Sequence, residues 1–413
     1  MRLPLEGIRI VDLTLVIAGP VATRILAALG AEVIKVEAPW GRAIGRGSSP
    51  PSLPGAPRPY NALPTFNEVN RGKKSISLNL QHPLGRAAFL RLVTLSDVVV
   101  ENLSPRVLPN LGLDYPVLRR YRPDVILVSM PALGHKGPWG HYIAFGPGVE
   151  ALGGLSSITG YEGGQPHKPG NYYADQNAAF HAALAVLVAV YRRRRTGRGA
   201  HLRVVLREAT QATMGEFFLE PQMTGRIPTP MGNRHPWMAP HGIYPCRGED
   251  AWVAIACATD AHFHALCAVI GRPDLTEDPR FADSLARKRH EALLDAPISA
   301  WTRRHTPREA MLILQGMGVP AGAVLTVADI LGDPHWRERG FVEEVDHPEM
   351  GRTLHPTLPW QATGMPRRQS TPAPLFAQDN RVILQDLLGL PPAVVAQMDA
   401  EGVSPSEPVE GSR

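Results

Sequence analysis

The first 36 residues hold the tightest constraint on the fold. Residues 8–13 (Ile-Arg-Ile-Val-Asp-Leu) read as a short strand, residues 20–29 as a helix closed by Gly30, and residues 32–36 (Glu-Val-Ile-Lys-Val) as a second strand. Consecutive parallel strands need such a crossover, and the crossover lays its helix on the sheet, so both faces end up covered. The pattern recurs. A helix is predicted over 83–95, a strand over 97–101, a strand over 124–129 after a helical stretch, and a strand over 201–206 after a long apolar helix at 178–191. The alternation predicts an α/β fold with a parallel sheet, whose ligands bind beyond the carboxyl ends of the strands.

At 413 residues the chain exceeds what one core usually organises. The expected division is a large domain over 1–209, a linker with a possible active-site loop over 210–245, and a smaller α/β domain over 246–325. A return segment over 326–401 packs on the large domain, and a Pro-, Ser- and Glu-rich tail, 402–413, is expected to be disordered. The linker rests on Pro221, Pro228, Pro230, Pro236, Pro240 and Pro245, which break regular structure. Forty-three basic residues against 38 acidic ones give a net charge of +5, and the cations are mostly arginine, which suits a small anionic ligand. Nucleic acid is not indicated, because the one dense basic run, Arg192-Arg193-Arg194-Arg195, ends a helix, where cations complement the dipole. Cys246, Cys257 and Cys267 form neither a disulfide framework nor a metal-ligand pattern, so no metal is expected and the setting is a reducing cytoplasm. No apolar run reaches the roughly 20 residues that a membrane span needs.

Asp175, in Pro169-Gly170-Asn171-Tyr172-Tyr173-Ala174-Asp175-Gln176-Asn177, stands at the mouth of the long apolar helix. The dipole favours its ionised form and the apolar surroundings offer little water. Two readings fit, a helix cap and a nucleophile. The helix itself is apolar nearly all round and is expected to be buried. The opening βαβ unit lacks the three glycines of a dinucleotide fingerprint, and no Walker motif is present.

Seven short motifs occur in one order: Asp12-Leu13-Thr14; Ala18-Gly19-Pro20; the run Leu29-Gly30-Ala31-Glu32-Val33-Ile34-Lys35-Val36-Glu37; Asn70-Arg71-Gly72-Lys73-Lys74-Ser75; Val100-Glu101-Asn102; Gly134-His135-Lys136-Gly137-Pro138; and Arg195-Thr196-Gly197-Arg198-Gly199. Over residues 3–360 this series resembles the class III CoA-transferases, the family of formyl-CoA transferase and the carnitine CoA-transferases, which also contains α-methylacyl-CoA racemase. The resemblance implies a Rossmann-like large domain and a smaller α/β domain joined by long linkers in an interlocked homodimer. It also implies that Asp175 is a covalent nucleophile. The carboxylate would attack a donor acyl-CoA to give a mixed anhydride and CoA thiolate, the thiolate would return to form an aspartyl-CoA thioester, and an acceptor acid would repeat the exchange in reverse. A carboxyl of ordinary pKa, about 4, needs no general base for this. Acyl-CoA and a small carboxylic acid are thus the implied partners, with the CoA thioester a substrate and no permanent cofactor.

By the same resemblance Val16, Ile17 and Ala18 line CoA after the first strand. Leu78 and Asn79 approach its adenine end, and Asn102, Ser104 and Phe145 contact it as well. The family's arginines after Lys-Val-Glu and before Leu-Gly are Ala38 and Asn110 here, which leaves Arg42, Arg46, Arg71 or Arg106 to meet the phosphates. Position 145, thirty residues before Asp175 (175 − 145), holds a proton-moving His in the racemase branch and Phe145 in this chain. Transferase is therefore favoured over racemase, and the intact Asp175 disfavours a noncatalytic acyl-CoA-binding protein. Asn233, Arg234 and His241 occupy the place of the formyl-CoA transferase glycine loop, without its glycines, and are the candidates for binding the acceptor carboxylate.

Overall fold

The structure is a computed structural model and describes residues 2–40, 46 and 56–409. The chain divides into two units, one drawn from Met1–Ser156, Lys168–Arg226 and His335–Arg413, the other from Ser157–His167 and Ile227–Pro334.

The first unit is built on six parallel strands: β1 (Arg9–Asp12), β2 (Glu32–Glu37), β3 (Lys74–Ser77), β4 (Val98–Glu101), β5 (Ile126–Ser129) and β6 (Ala200–Arg203). Their order in the sheet is β3-β2-β1-β4-β5-β6. The order reverses between β1 and β4, and a doubly wound sheet opens its ligand crevice at that switch point. Alternate strand residues serve the two faces. Ile10, Val33, Val98, Val100, Ile126 and Val128 pack with the first helix, Ala18–Ala28, and the long helix, Tyr173–Thr196. Val11, Ile34, Ile76, Val99 and Leu127 pack with the helix Pro83–Thr94 and the C-terminal segment.

The second unit has an antiparallel sheet of β7 (His241–Pro245), β8 (Trp252–Ala256) and β9 (Ala321–Ala323). Helices Asp260–Val269, Ala292–Thr302 and Pro307–Gly316 cover a core of Val253, Ile255, Phe263, Leu266, Trp301 and Leu314.

Several expectations need correcting. The first unit runs to Arg226, past the expected boundary at 209, and residues 157–167 leave it for the second unit. The segment 210–245 is not an irregular linker throughout. It holds the helix Gly215–Thr224, with Pro221 inside and Gly225 capping it in the left-handed region (φ 72°), and it ends in β7. The described part of the tail, 402–409, is held by specific contacts: Val403 is fully buried, its carbonyl accepts the Asn79 N–H at 2.7 Å, and the Ser77 hydroxyl donates to the Pro405 carbonyl. The long helix is also not buried all round. Its alanines (Ala174, Ala178, Ala179, Ala182, Ala183, Ala189) pack inward, while Phe180, Leu184, Val188 and Tyr191 are exposed. Small side chains let the first helix approach closely and leave the bulky ones outside.

Candidate active site

The long helix begins at Tyr173, so Asp175 is its third residue, one turn inside the position of a cap. The carboxylate is buried, at 8% exposure. The backbone N–H groups of Ala18, the first residue of the first helix, and of Asp175 itself lie near it and favour its anion. Two helix N-termini therefore converge on one anion, each with unsatisfied donors. Against them stands burial, and then the field of Glu150, and together these push the Asp175 carboxyl from 3.8 up to about 6. It remains mostly ionised at pH 7 and is more basic than an ordinary aspartate.

The turn that delivers the Ala18 N–H is held from beneath. Asp12, at the end of β1, is fully buried and accepts the Thr14 N–H, the Thr14 and Thr23 hydroxyls and the Lys73 ammonium (2.9 Å). Burial disfavours the Asp12 anion, but Lys73, Lys35 and Thr14 overcome it and hold the carboxyl far below its usual range. Lys35 donates to the Thr14 carbonyl, and Gly19 leaves room for Thr14, since a Cβ there would lie 2.4 Å from that side chain. Val16 sits above this knot at φ 65°, a strained setting for a β-branched residue. Gly146 completes the surroundings of Asp175: a Cβ on it would come within 2.0 Å of Asp175 Oδ2.

The residues expected to meet CoA divide into groups. Ala18 is placed at Asp175 itself, with Val16 and Ile17 on the same turn. Leu78 lines a cavity of about 370 Å³ beyond the strand ends, with Leu13, Leu15, Val36, Leu103 and Leu111. Asn79 and Asn102 are engaged elsewhere. The Asn79 backbone pairs with Val403, and the Asn102 amide grips both the N–H and the carbonyl of Leu15 (2.7 and 2.8 Å), so it shapes the switch-point crevice rather than offering it free donors. Ser104 is half-buried, with its carbonyl accepting the Val107 N–H, and Arg106 beside it is exposed next to the cavity-lining Val107. Phe145 is 60% exposed and caps the short helix Gly146–Leu152.

Two candidate phosphate cations are already committed. Arg46 is buried on Glu37, and Arg71 is buried among Glu343, Glu68, Ser370 and the Pro356 carbonyl. Arg42 lies outside the described residues. In the second unit Asn233, Arg234 and His241 do come together, lining a cavity of about 440 Å³. The Arg234 guanidinium, however, is bidentate on Asp295 (3.1 and 2.5 Å) with Glu291 behind it, so it is not a free carboxylate receptor. His241 Nδ1 lies 2.8 Å from the Asn233 carbonyl oxygen.

Sequence reasoning gave no role to Glu150, Asp12, Lys73 or Gly146. Asp12 and Lys73 stood inside recognised motifs, a usable signal, whereas nothing local marks Glu150.

A family profile described as CoA-transferase family III matches residues 5–380. The chain belongs to CoA-transferase family III. It is 35% identical over 400 residues to succinyl-CoA–D-citramalate CoA-transferase of Chloroflexus aurantiacus, covering 97% of this chain and 98% of that one. It is 32% identical to succinate–glutarate CoA-transferase of Agrobacterium fabrum, over 93% of this chain and 96% of that one. Among solved structures, a CaiB/BaiF family protein from Brucella suis superposes with a TM-score of 0.85 at 30% identity, covering 94% of this chain and all of that one. The chain is thus a class III CoA-transferase, an enzyme whose substrates include a CoA thioester. Among the described residues no helix is long and apolar enough to cross a membrane.

Proposed function

We propose that this enzyme moves CoA from a donor acyl-CoA to an acceptor carboxylic acid through covalent chemistry on Asp175. What carries the reading is the setting of that carboxylate: buried, faced by backbone N–H groups at the meeting of two helix N-termini, and raised to about 6. The anion attacks the thioester carbonyl, giving a mixed anhydride and CoA thiolate. The thiolate then attacks the aspartyl carbonyl, giving the aspartyl-CoA thioester and freeing the donor acid. The acceptor carboxylate repeats both exchanges in reverse. No step requires a proton, which suits a site whose nucleophile is already ionised. Phe145, where a two-base mechanism needs a histidine, speaks against an α-proton racemase.

CoA extends from Asp175 over Val16–Ala18 toward the cavity lined by Leu78, with Arg106 the exposed cation beside it. Asn233 and His241 are proposed to meet the acceptor acid, and the working molecule is proposed to be an interlocked homodimer in the cytoplasm. The names of relatives put succinyl-CoA first among donors, with small dicarboxylic acids as acceptors. The test is to mix the protein with succinyl-, acetyl-, malonyl-, propionyl- and oxalyl-CoA, trap with hydroxylamine and map the modified residue by mass spectrometry. Label on Asp175 is expected. CoA exchange that proceeds without that label overturns the covalent route. Asp175→Ala should abolish transfer and keep CoA affinity within about threefold, since it removes a transition-state contact rather than a binding one.

A further inference from the structure

A second buried carboxylate stands next to the first turn of the long helix. Glu150, on the short helix Gly146–Leu152, is fully buried, and its Oε1 accepts the backbone N–H of Ala174 at 3.3 Å. Its Oε2 is buried with no hydrogen-bond partner. Gly146, one turn earlier on the same helix, is the residue against which Asp175 Oδ2 rests. Among the described residues neither carboxylate forms a salt bridge. A buried carboxyl group with an unpartnered oxygen, set beside a second buried carboxylate, is costly, and a fold without a use for it has simple ways to avoid it.

We propose that Glu150 is a positioning residue that poises Asp175 for acylation: anchored on the Ala174 N–H, its carboxylate repels the free Asp175 anion, and that repulsion is relieved once Asp175 is acylated. This rests on the reading of Asp175 as the nucleophile. In the first exchange an Asp175 oxygen bonds to the thioester carbon, the carbon–sulfur bond breaks, and its electron pair leaves on sulfur. The charge beside Glu150 departs with the thiolate, and no proton moves. Glu150 therefore raises the free carboxylate in energy relative to both the anhydride and the aspartyl-CoA thioester. It does so without touching the substrate.

The elements packed on the Gly146–Leu152 helix are the long helix and the helix Leu206–Ala212. Their other nearby charged or titratable groups are Tyr173, with Tyr172 just before it, His181 and Glu208, all exposed, and Arg207, whose guanidinium lies over the Trp139 ring. Among the described residues Glu150 is the charged side chain whose field on Asp175 stands out.

The test uses full-length enzyme carrying 13C in its aspartate carboxyl groups, titrated by NMR, with Asp175→Asn to identify the signal. Glu150→Gln keeps an acceptor for the Ala174 N–H and loses only the charge, while Glu150→Asp keeps the charge. The Asp175 midpoint is expected to fall by about one pH unit in Glu150→Gln and to stay raised in Glu150→Asp. In the same variants, at equal succinyl-CoA and succinate, the fraction of enzyme carried as aspartyl-CoA is expected to fall about tenfold for Gln only. An unchanged midpoint in a folded Glu150→Gln overturns the proposal, and so do equal shifts in both variants, which would mark a structural role. The nucleophile reading fails separately: no donor then labels wild-type Asp175, whatever the midpoints do.

Discussion

Asp175 is a residue whose usefulness works against the stability of its own fold. An aspartate in the unfolded chain titrates near 3.8, but the folded one titrates near 6. Below about pH 3 both states are protonated and the group contributes nothing. Above pH 6 the unfolded chain carries a solvated anion and the folded one a buried anion, so folding is weakened as pH rises through that window. Asp175→Asn, nearly isosteric and uncharged, should therefore stabilise the enzyme by about 3 kcal/mol at pH 8 and by almost nothing at pH 3, read from urea unfolding at the two pH values. A gain of equal size at both would assign the effect to packing instead. The sequence located this residue through its motif and its neighbouring helix. It could not tell that the helix starts at Tyr173 or that Glu150 lies beside it, because Glu150 is joined to Ala174, 24 residues on, through tertiary packing.

The element that makes the site is the turn between β1 and the first helix, and its support comes from strands on both sides. Asn102, after β4, staples Leu15, while Lys35 of β2 and Lys73 just before β3 tie Thr14 and Asp12. Removing the Lys73 ammonium leaves a fully buried aspartate short of its closest cation, and breaking a buried pair from one side costs about 3–5 kcal/mol. Lys73→Met should lower the urea midpoint accordingly, and reaction of Asp175 with donor acyl-CoA should fall more than CoA affinity does. Loss of neither would mean that the turn holds its shape without the pair. The strands and helices of this unit were legible because each carries its own periodicity. The roles of Asn102, Arg46 and Arg71 were not, because a polar side chain in a loop motif reads alike whether it faces a ligand or a distant backbone. Prolines misled in a definite way: Pro228, Pro230 and Pro236 do mark irregular chain, yet Pro221 costs the helix Gly215–Thr224 only one hydrogen bond and is accommodated near its end.

At the scale of the whole molecule, the first unit leaves apolar surface that a lone chain does not cover. Phe180, Leu184, Val188 and Tyr191, spaced four, four and three residues apart, form one face of the long helix and are 54–61% exposed. The helix Gly215–Thr224 buries no residue at all, although it carries Phe218, Leu219 and Met223, and a helix of ten residues has little stability of its own in water. Two such faces in one unit argue for a partner that shields them, and a second copy of this chain is the occupant consistent with the proposed interlocked dimer. Chains linked in that way assemble as they fold, so the dimer should not come apart on dilution. Sedimentation should give twice the 44.9 kDa chain mass, and that mass should persist into the nanomolar range. The double variant Leu184→Glu/Val188→Glu places two charges on the face while leaving the inward alanines untouched. It is expected to yield monomer or aggregate with transferase activity reduced at least about tenfold, because assembly and a correctly formed site would be lost together. A wild-type particle of 44.9 kDa with full activity would mean that the exposed stripe tolerates water and that one chain completes the site.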